Sequence, residues 1–136
     1  MRMEREFINP IEGLKSVPRG YSHVVKIRNP GAFVFIAGQG PVDADLKLVG
    51  ARDIEAQTRA TFENIKCNLE AAGASFSDIV KMQVFLSDIE NQQWPVRNVR
   101  AEFIEVDNPS VSTMIEVSKF AIEGMMIEID VIAVIE

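Results

Sequence analysis

The stretch from Met125 to Ile135 constrains the fold more than any other. Ile127, Ile129, Val131 and Ala133 alternate with Glu128 and Asp130, which is the period of a strand. One face wants a core. The other presents two carboxylates, which need positive partners, water or a chemical role. A strand of this quality near the end of a small chain belongs inside a sheet, and the upstream segments can be read as supplying its neighbours.

A chain of 136 residues with 47% hydrophobic content is predicted to form one domain over residues 1–136, able to bury a core without disulfides or metal. The net charge of -6 and a pI near 4.9 argue against a nucleic-acid surface, although a local basic pocket stays open. Cys67 is the one cysteine, so no internal disulfide framework exists. The start, Met1-Arg2-Met3-Glu4-Arg5-Glu6, lacks the apolar run of a secretory signal, and no run is long enough to cross a bilayer. A reduced, cytoplasmic setting is expected, with no cofactor and no membrane partner.

Met1 to Pro18 reads as an extended arm without strand or helix period. Ser22–Arg28 and Ala32–Ala37 are strand-like, and Asn29-Pro30-Gly31 between them predicts an antiparallel hairpin. Phe33-Val34-Phe35-Ile36 is apolar on both faces, which predicts a central strand covered on both sides. A helix is predicted from Ile54 to Ala72, with Asp53 as N-cap and Gly73 past its end. Its core stripe is Ile54, Thr58, Thr61, Phe62, Ile65, Leu69 and Ala72, leaving Cys67 on the far side with no metal-ligand spacing around it.

Val80, Met82, Val84 and Leu86 alternate with Lys81, Gln83 and Phe85 as a further strand. A second helix is predicted from Trp94 to Glu105 with Pro95 in its first turn. Val96, Val99 and Phe103 form its core side, with Trp94, Arg97 and Ile104 pointing elsewhere. After Asn108-Pro109 comes a strand with Thr113, Ile115 and Val117 on one face and Met114, Glu116 and Ser118 on the other.

The order is β-β-α-β-α-β-β: an α+β fold with a mixed sheet and two helices that can cover only one face. The other face is left with Lys81, Gln83, Phe85, Met114, Glu116, Glu128 and Asp130. Symmetric self-association is the usual cover for such a face, so a homo-oligomer with pockets between subunits is expected.

Gly20-Tyr21-Ser22-His23-Val24-Val25, Phe33 through Gln39, Gln57-Thr58-Arg59 through Glu63-Asn64-Ile65, and Ile127 through Ala133 stand in the order and spacing of one family. The chain resembles the YjgF/RidA (L-PSP) family from about Asn9-Pro10 to the C-terminus. The resemblance implies a chorismate-mutase-like fold, a barrel-like homotrimer, and clefts between subunits that bind small carboxylates or related metabolites. It also implies a cofactor-independent enamine or imine deaminase, a hydrolase that releases a keto acid and ammonia. Some relatives act on aminomuconate-type compounds, and others carry labels as translation inhibitors or endoribonucleases. RNA cleavage fits poorly with an acidic chain holding one histidine. A trimer that binds a metabolite or a protein without catalysis is the alternative.

Imine deaminases of this family carry an arginine at the start of the penultimate strand, whose planar fork grips the substrate carboxylate. Here the segment reads Pro109-Ser110-Val111-Ser112-Thr113-Met114, so Ser112, or Val111 under another gap placement, takes that position. Arg97 matches a cleft-lining polar position and is either a substitute cation or a solvated surface arginine. Ser112 and Thr113 offer hydroxyls to a ligand that lacks a carboxylate.

Glu128 matches the cleft glutamate, which orients water for attack on the C=N carbon; otherwise it meets Lys81 and solvent at the trimer centre. Asp130 lies on the same strand face two residues on, and a pair of nearby carboxylates can push one pKa upward. Tyr21 and Ser22 match a cleft-lining segment, Phe85 lies on the same predicted face as Glu128, and Ala37 and Gly38 let a ligand approach the backbone. His23 reads as a structural histidine, since no Cys or Ser partner makes a triad. Gly38-Gln39-Gly40 is not a phosphate loop, because no helix starts at its end.

Overall fold

The computed structural model describes residues 1–10, 12, 20–105 and 107–136. Pro18, part of the predicted N-terminal arm, lies outside them. The elements are β1 (Glu4–Ile8), β2 (Val24–Arg28), β3 (Ala32–Gln39), α1 (Ile54–Ala71), a 3-10 turn (Phe76–Asp78), β4 (Ile79–Leu86), α2 (Ile89–Phe103), β5 (Val111–Glu116) and β6 (Ile127–Ile135). The class is α+β as expected, with one strand more than the sequence suggested.

β6 sits inside a four-stranded sheet of order β3-β6-β4-β5, antiparallel to β3 and β4, while β5 runs parallel to β4. The mixed sheet follows from α2, which carries the chain back to the starting end before β5. Ile127, Ile129 and Ala133 are fully buried and Val131 nearly so, against Phe62 and Ile65 of α1 and Val96 and Val99 of α2. Each such side chain contributes about 1.5–3 kcal/mol relative to exposure. Both helices cover this one face.

α1 begins and ends where its caps dictate. Asp53 Oδ1 accepts from the Ala56 N–H at 3.1 Å. At the other end Gly73 (φ 74°) and Ala74 return hydrogen bonds to the Glu70 and Leu69 carbonyls, a Schellman arrangement that needs the left-handed glycine. Ala72, placed on the core stripe by spacing, is exposed instead, and the buried set adds Gln57.

Three expectations are corrected. β2 does not form a hairpin with β3; it pairs with β1, from Glu4 opposite Arg28 to Ile8 opposite Val24, so the N-terminal arm is itself a strand. Arg5 fastens this two-stranded unit to the body through Asp78 Oδ1 at 3.0 Å and the Val134 carbonyl at 2.5 Å. β3 is an edge strand, and Phe33 and Phe35 are 58% and 74% exposed because none of the described residues covers their face.

The third correction is the start of α2 at Ile89. Asp88 caps it by accepting from the Asn91 N–H, and Glu116 Oε1 accepts from the Ile89 N–H at 3.0 Å. Pro95 therefore lies inside the helix, where the carbonyl it deprives belongs to the exposed Asn91.

Candidate functional site

On the face of the sheet away from the helices, register sets which side chains meet. Glu128 of β6 stands beside Phe85 of β4, which stands beside Ile115 of β5; the next row is Asp130, Gln83 and Thr113. Met114 and Glu116 point to the helix side instead, and Met114 packs against the core. The alternation of β5 was read correctly but its two faces were exchanged, since each carries both polar and apolar residues.

β3 advances three residues from Ile36 to Gln39 while β6 advances two, from Val131 to Ile129, so Ala37 and Gly38 form a bulge. The Glu128 side chain lies directly against it. A Cβ at Gly38 would stand 2.8 Å from both Cδ and Oε2 of Glu128, closer than such atoms approach. The Gln39 amide donates to the Ala37 carbonyl at 3.0 Å, and the bulge holds that shape. Ala37, Gly38, Phe85 and Glu128 are thus brought together, with Thr113 one row away.

Asp130 is held differently. With its amide nitrogen turned toward β6, Gln83 donates to both Asp130 oxygens at 3.2 and 3.3 Å. Partial burial pushes the Asp130 carboxyl above its ordinary range, and Lys81 pulls it part of the way back.

Of the remaining candidates, Ser112 and Arg97 lie on the helix side of the sheet, and Tyr21 and Ser22 lie in the segment entering β2. Ser22 is buried, with its hydroxyl donating to the Pro109 carbonyl at 2.6 Å and its N–H to the Ser110 carbonyl at 2.9 Å. Its donors fasten the segment entering β2 to the segment entering β5. Tyr21 packs edge-on with His23 at 5.4 Å, and the His23 N–H donates to Asn9. Ser112 shares the helix-side face of β5 with Met114. Arg97 lies on α2 with its guanidinium over the Trp94 ring, 5.4 Å from the centroid. Within one protomer neither Ser112 nor Arg97 shares a face with Glu128.

Arg97 lines a cavity of about 210 Å³ with Gly20, Trp94, Arg100, Ile104 and Pro109. Arg100 was not among the residues singled out, yet it is only 9% exposed. Burial, reinforced by the like charge of Arg97, holds its guanidinium below the usual arginine range. The signal was present in the spacing, because Arg100 falls on the stripe of Gln92, Val96, Val99 and Phe103, where a charged residue is out of place. Among the described residues no group of three or more His, Cys, Asp or Glu is placed to hold a metal ion.

The model of the family described as Endoribonuclease L-PSP matches residues 15–135. The chain belongs to that family. L-PSP proteins are the YjgF/RidA group to which the sequence pointed, and the similarity extends to curated members. The chain is 40% identical over 113 residues to a RutC family protein of Pyrococcus horikoshii, covering 83% of this chain and 85% of the relative. It is 36% identical over 105 residues to the 2-iminobutanoate/2-iminopropanoate deaminase of Salmonella typhimurium, covering 76% and 80%. Among solved L-PSP structures, the conserved Rid family protein YyfB from Yersinia pestis superposes with a TM-score of 0.83 at 33% identity, covering 96% of this chain and 98% of that one.

Proposed function

We propose that this L-PSP protein is a cofactor-independent deaminase that hydrolyses a reactive enamine or imine, at sites completed between the subunits of a homotrimer. The observation that carries the reading is the Glu128 carboxylate lying on the Gly38 bulge, beside Phe85 and at the margin of an uncovered face. In such a site Glu128 accepts a proton from water as the water oxygen bonds to the C=N carbon. Returning that proton to nitrogen gives a carbinolamine, and the same carboxylate then moves the hydroxyl proton to nitrogen, so that ammonia leaves as the C=O bond forms. The 2-iminobutanoate/2-iminopropanoate deaminase among the relatives supports this reaction class.

Self-association is supported by the open face, where Phe33, Phe35 and Ile115 are each more than 40% exposed. A symmetric partner would cover them and carry the Glu128 group of one subunit toward the Tyr21, Arg97 and Ser112 group of another. The chain is read as one domain. A reducing, cytoplasmic setting is supported by the exposed free thiol of Cys67. The substrate is a simple amino-acid imine or an aminomuconate-type compound, and the two are separated by assay.

The alternative, a trimer that binds a metabolite or protein without turnover, is favoured by one observation: Ser112 gives β5 no cation for a substrate carboxylate. Ammonia release from imines generated in situ decides between them. Accelerated release that is lost in Glu128→Gln supports the enzyme; no acceleration from a confirmed trimer supports the binding reading.

A further inference from the structure

Among the described residues, Arg100 presents a charge without a counter-charge. Its side chain is nine-tenths buried at the cavity beside α2, and among the described residues its guanidinium has neither a hydrogen-bond acceptor nor a carboxylate partner. The charged group that acts on it is Arg97, which repels it. Glu105, which also lines the cavity, is exposed. The approach is close at Gly20 (φ 76°), where a Cβ would come within 2.7 Å of Arg100 Nη2, so the backbone there is shaped around the guanidinium. The guanidinium lines the cavity, is largely desolvated and faces the like charge of Arg97, so a carboxylate entering there gains a charge-assisted partner.

The walls select among anions. Trp94, Ala101, Ile104 and Pro109 give the cavity an apolar lining around the two arginines. A bare phosphate would leave these walls in water, whereas a small organic acid covers them with its carbon skeleton. At about 210 Å³ the space fits a metabolite rather than a drug-sized ligand.

We propose that Arg100 is the anion-recognising residue of this protein, holding the carboxylate of a small organic acid whose apolar body lies against Ile104 and Pro109. The inference rests on the deaminase reading for its place in catalysis: Arg100, reached from α2, supplies the cation that Ser112 does not supply from β5. As a binding site it stands independently of turnover.

Trp94 is the sole tryptophan and lines the cavity, so its fluorescence reports occupancy. Titration of the full chain with 2-oxobutanoate, the keto acid formed by hydrolysing the corresponding imine, is expected to give saturable quenching, matched by calorimetry. Inorganic phosphate and acetate at equal ionic strength should bind at least tenfold more weakly. Arg100→Met, which keeps the apolar stem, should weaken 2-oxobutanoate at least tenfold, and Arg100→Lys should recover part of the loss by restoring charge without the fork. If the Met variant does not fold, the Lys variant decides, with weaker binding than wild type expected.

Binding unchanged within twofold in either variant, phosphate binding as tightly as 2-oxobutanoate, or no saturable binding by the wild type overturns the proposal. Ammonia release in the same preparations separates it from the deaminase reading. Anion binding that depends on Arg100 without turnover leaves the site standing and removes the enzyme. Turnover indifferent to Arg100 leaves the enzyme standing and removes Arg100 from its catalysis.

Discussion

The Glu128 carboxylate rests on the backbone of Gly38, so close that a Cβ at residue 38 would stand 2.8 Å from Oε2. Two elements distant in sequence are thereby fitted to each other: a bulge that removes one register step from β3, and a carboxylate on the open face of β6. Gly38→Ala must turn the flexible Glu128 side chain aside, at little cost in stability. We expect urea unfolding unchanged within about 0.5 kcal/mol, together with at least a tenfold fall in deaminase kcat. Full activity in a folded Ala variant would show that Glu128 can work from another position.

Phe33 and Phe35, with rings 6.5 Å apart on the exposed side of β3, should mark the contact between subunits. Phe35→Glu places a charge where an apolar contact is expected. Sedimentation equilibrium should then report the proposed trimer for the wild type and monomer for the variant, with ammonia release lost in parallel. An unchanged trimer would move the interface elsewhere.

Gln57 is a fully buried amide that clamps the start of β6, donating to the Gly124 carbonyl at 3.0 Å and accepting from the Met126 N–H at 2.8 Å. Gln57→Ala leaves both backbone groups without their partner, at about 1–3 kcal/mol each. Denaturant unfolding should show a loss of at least 2 kcal/mol, whereas a loss below about 0.5 kcal/mol would contradict the clamp.

Asp130 titrates above its ordinary value because burial disfavours its charged form. The folded state therefore holds this proton to higher pH than the unfolded chain does, so stability is lost as pH rises from the unfolded value through the folded one. Asp130→Asn should remove that segment of the stability–pH curve and gain relative to wild type above it. Parallel curves for the two proteins across the acid range would contradict the assignment.

Much of the fold was legible where a local signal had one interpretation. The alternation of β6 predicted its buried face residue by residue, and Asp53 with Gly73 bounded α1 because both ends carry side-chain or backbone caps. β5 was harder, since Ser112, Thr113, Met114 and Ile115 put one polar and one apolar residue on each face, and only pairing with β4 decides which is inside. Pro95 misplaced the start of α2 because a helix tolerates proline once Asp88 and Glu116 anchor its first turn. The pairing of β1 with β2 depends on contacts distant in sequence, which strand patterning alone does not specify.

The candidate site divides in the same way. Gly38 and Glu128 were both singled out from motif positions, and the register slip that fits them together required the structure. Arg100 was passed over because a charged residue within a helix reads as solvated, although its place among Val96, Val99 and Phe103 set it on the buried stripe.

The central claim is that Glu128 delivers water to a C=N carbon. The direct measurement is ammonia release from 2-iminobutanoate and from an aminomuconate-type compound, each generated in situ, with wild type and Glu128→Gln prepared as the same oligomer. The account predicts acceleration by the wild type on at least one compound and a fall of at least a hundredfold in kcat for the Gln variant, within the range of roughly 10²–10⁴ for a lost general base. Equal rates for the two proteins, or no acceleration by a correctly assembled wild type, would contradict it.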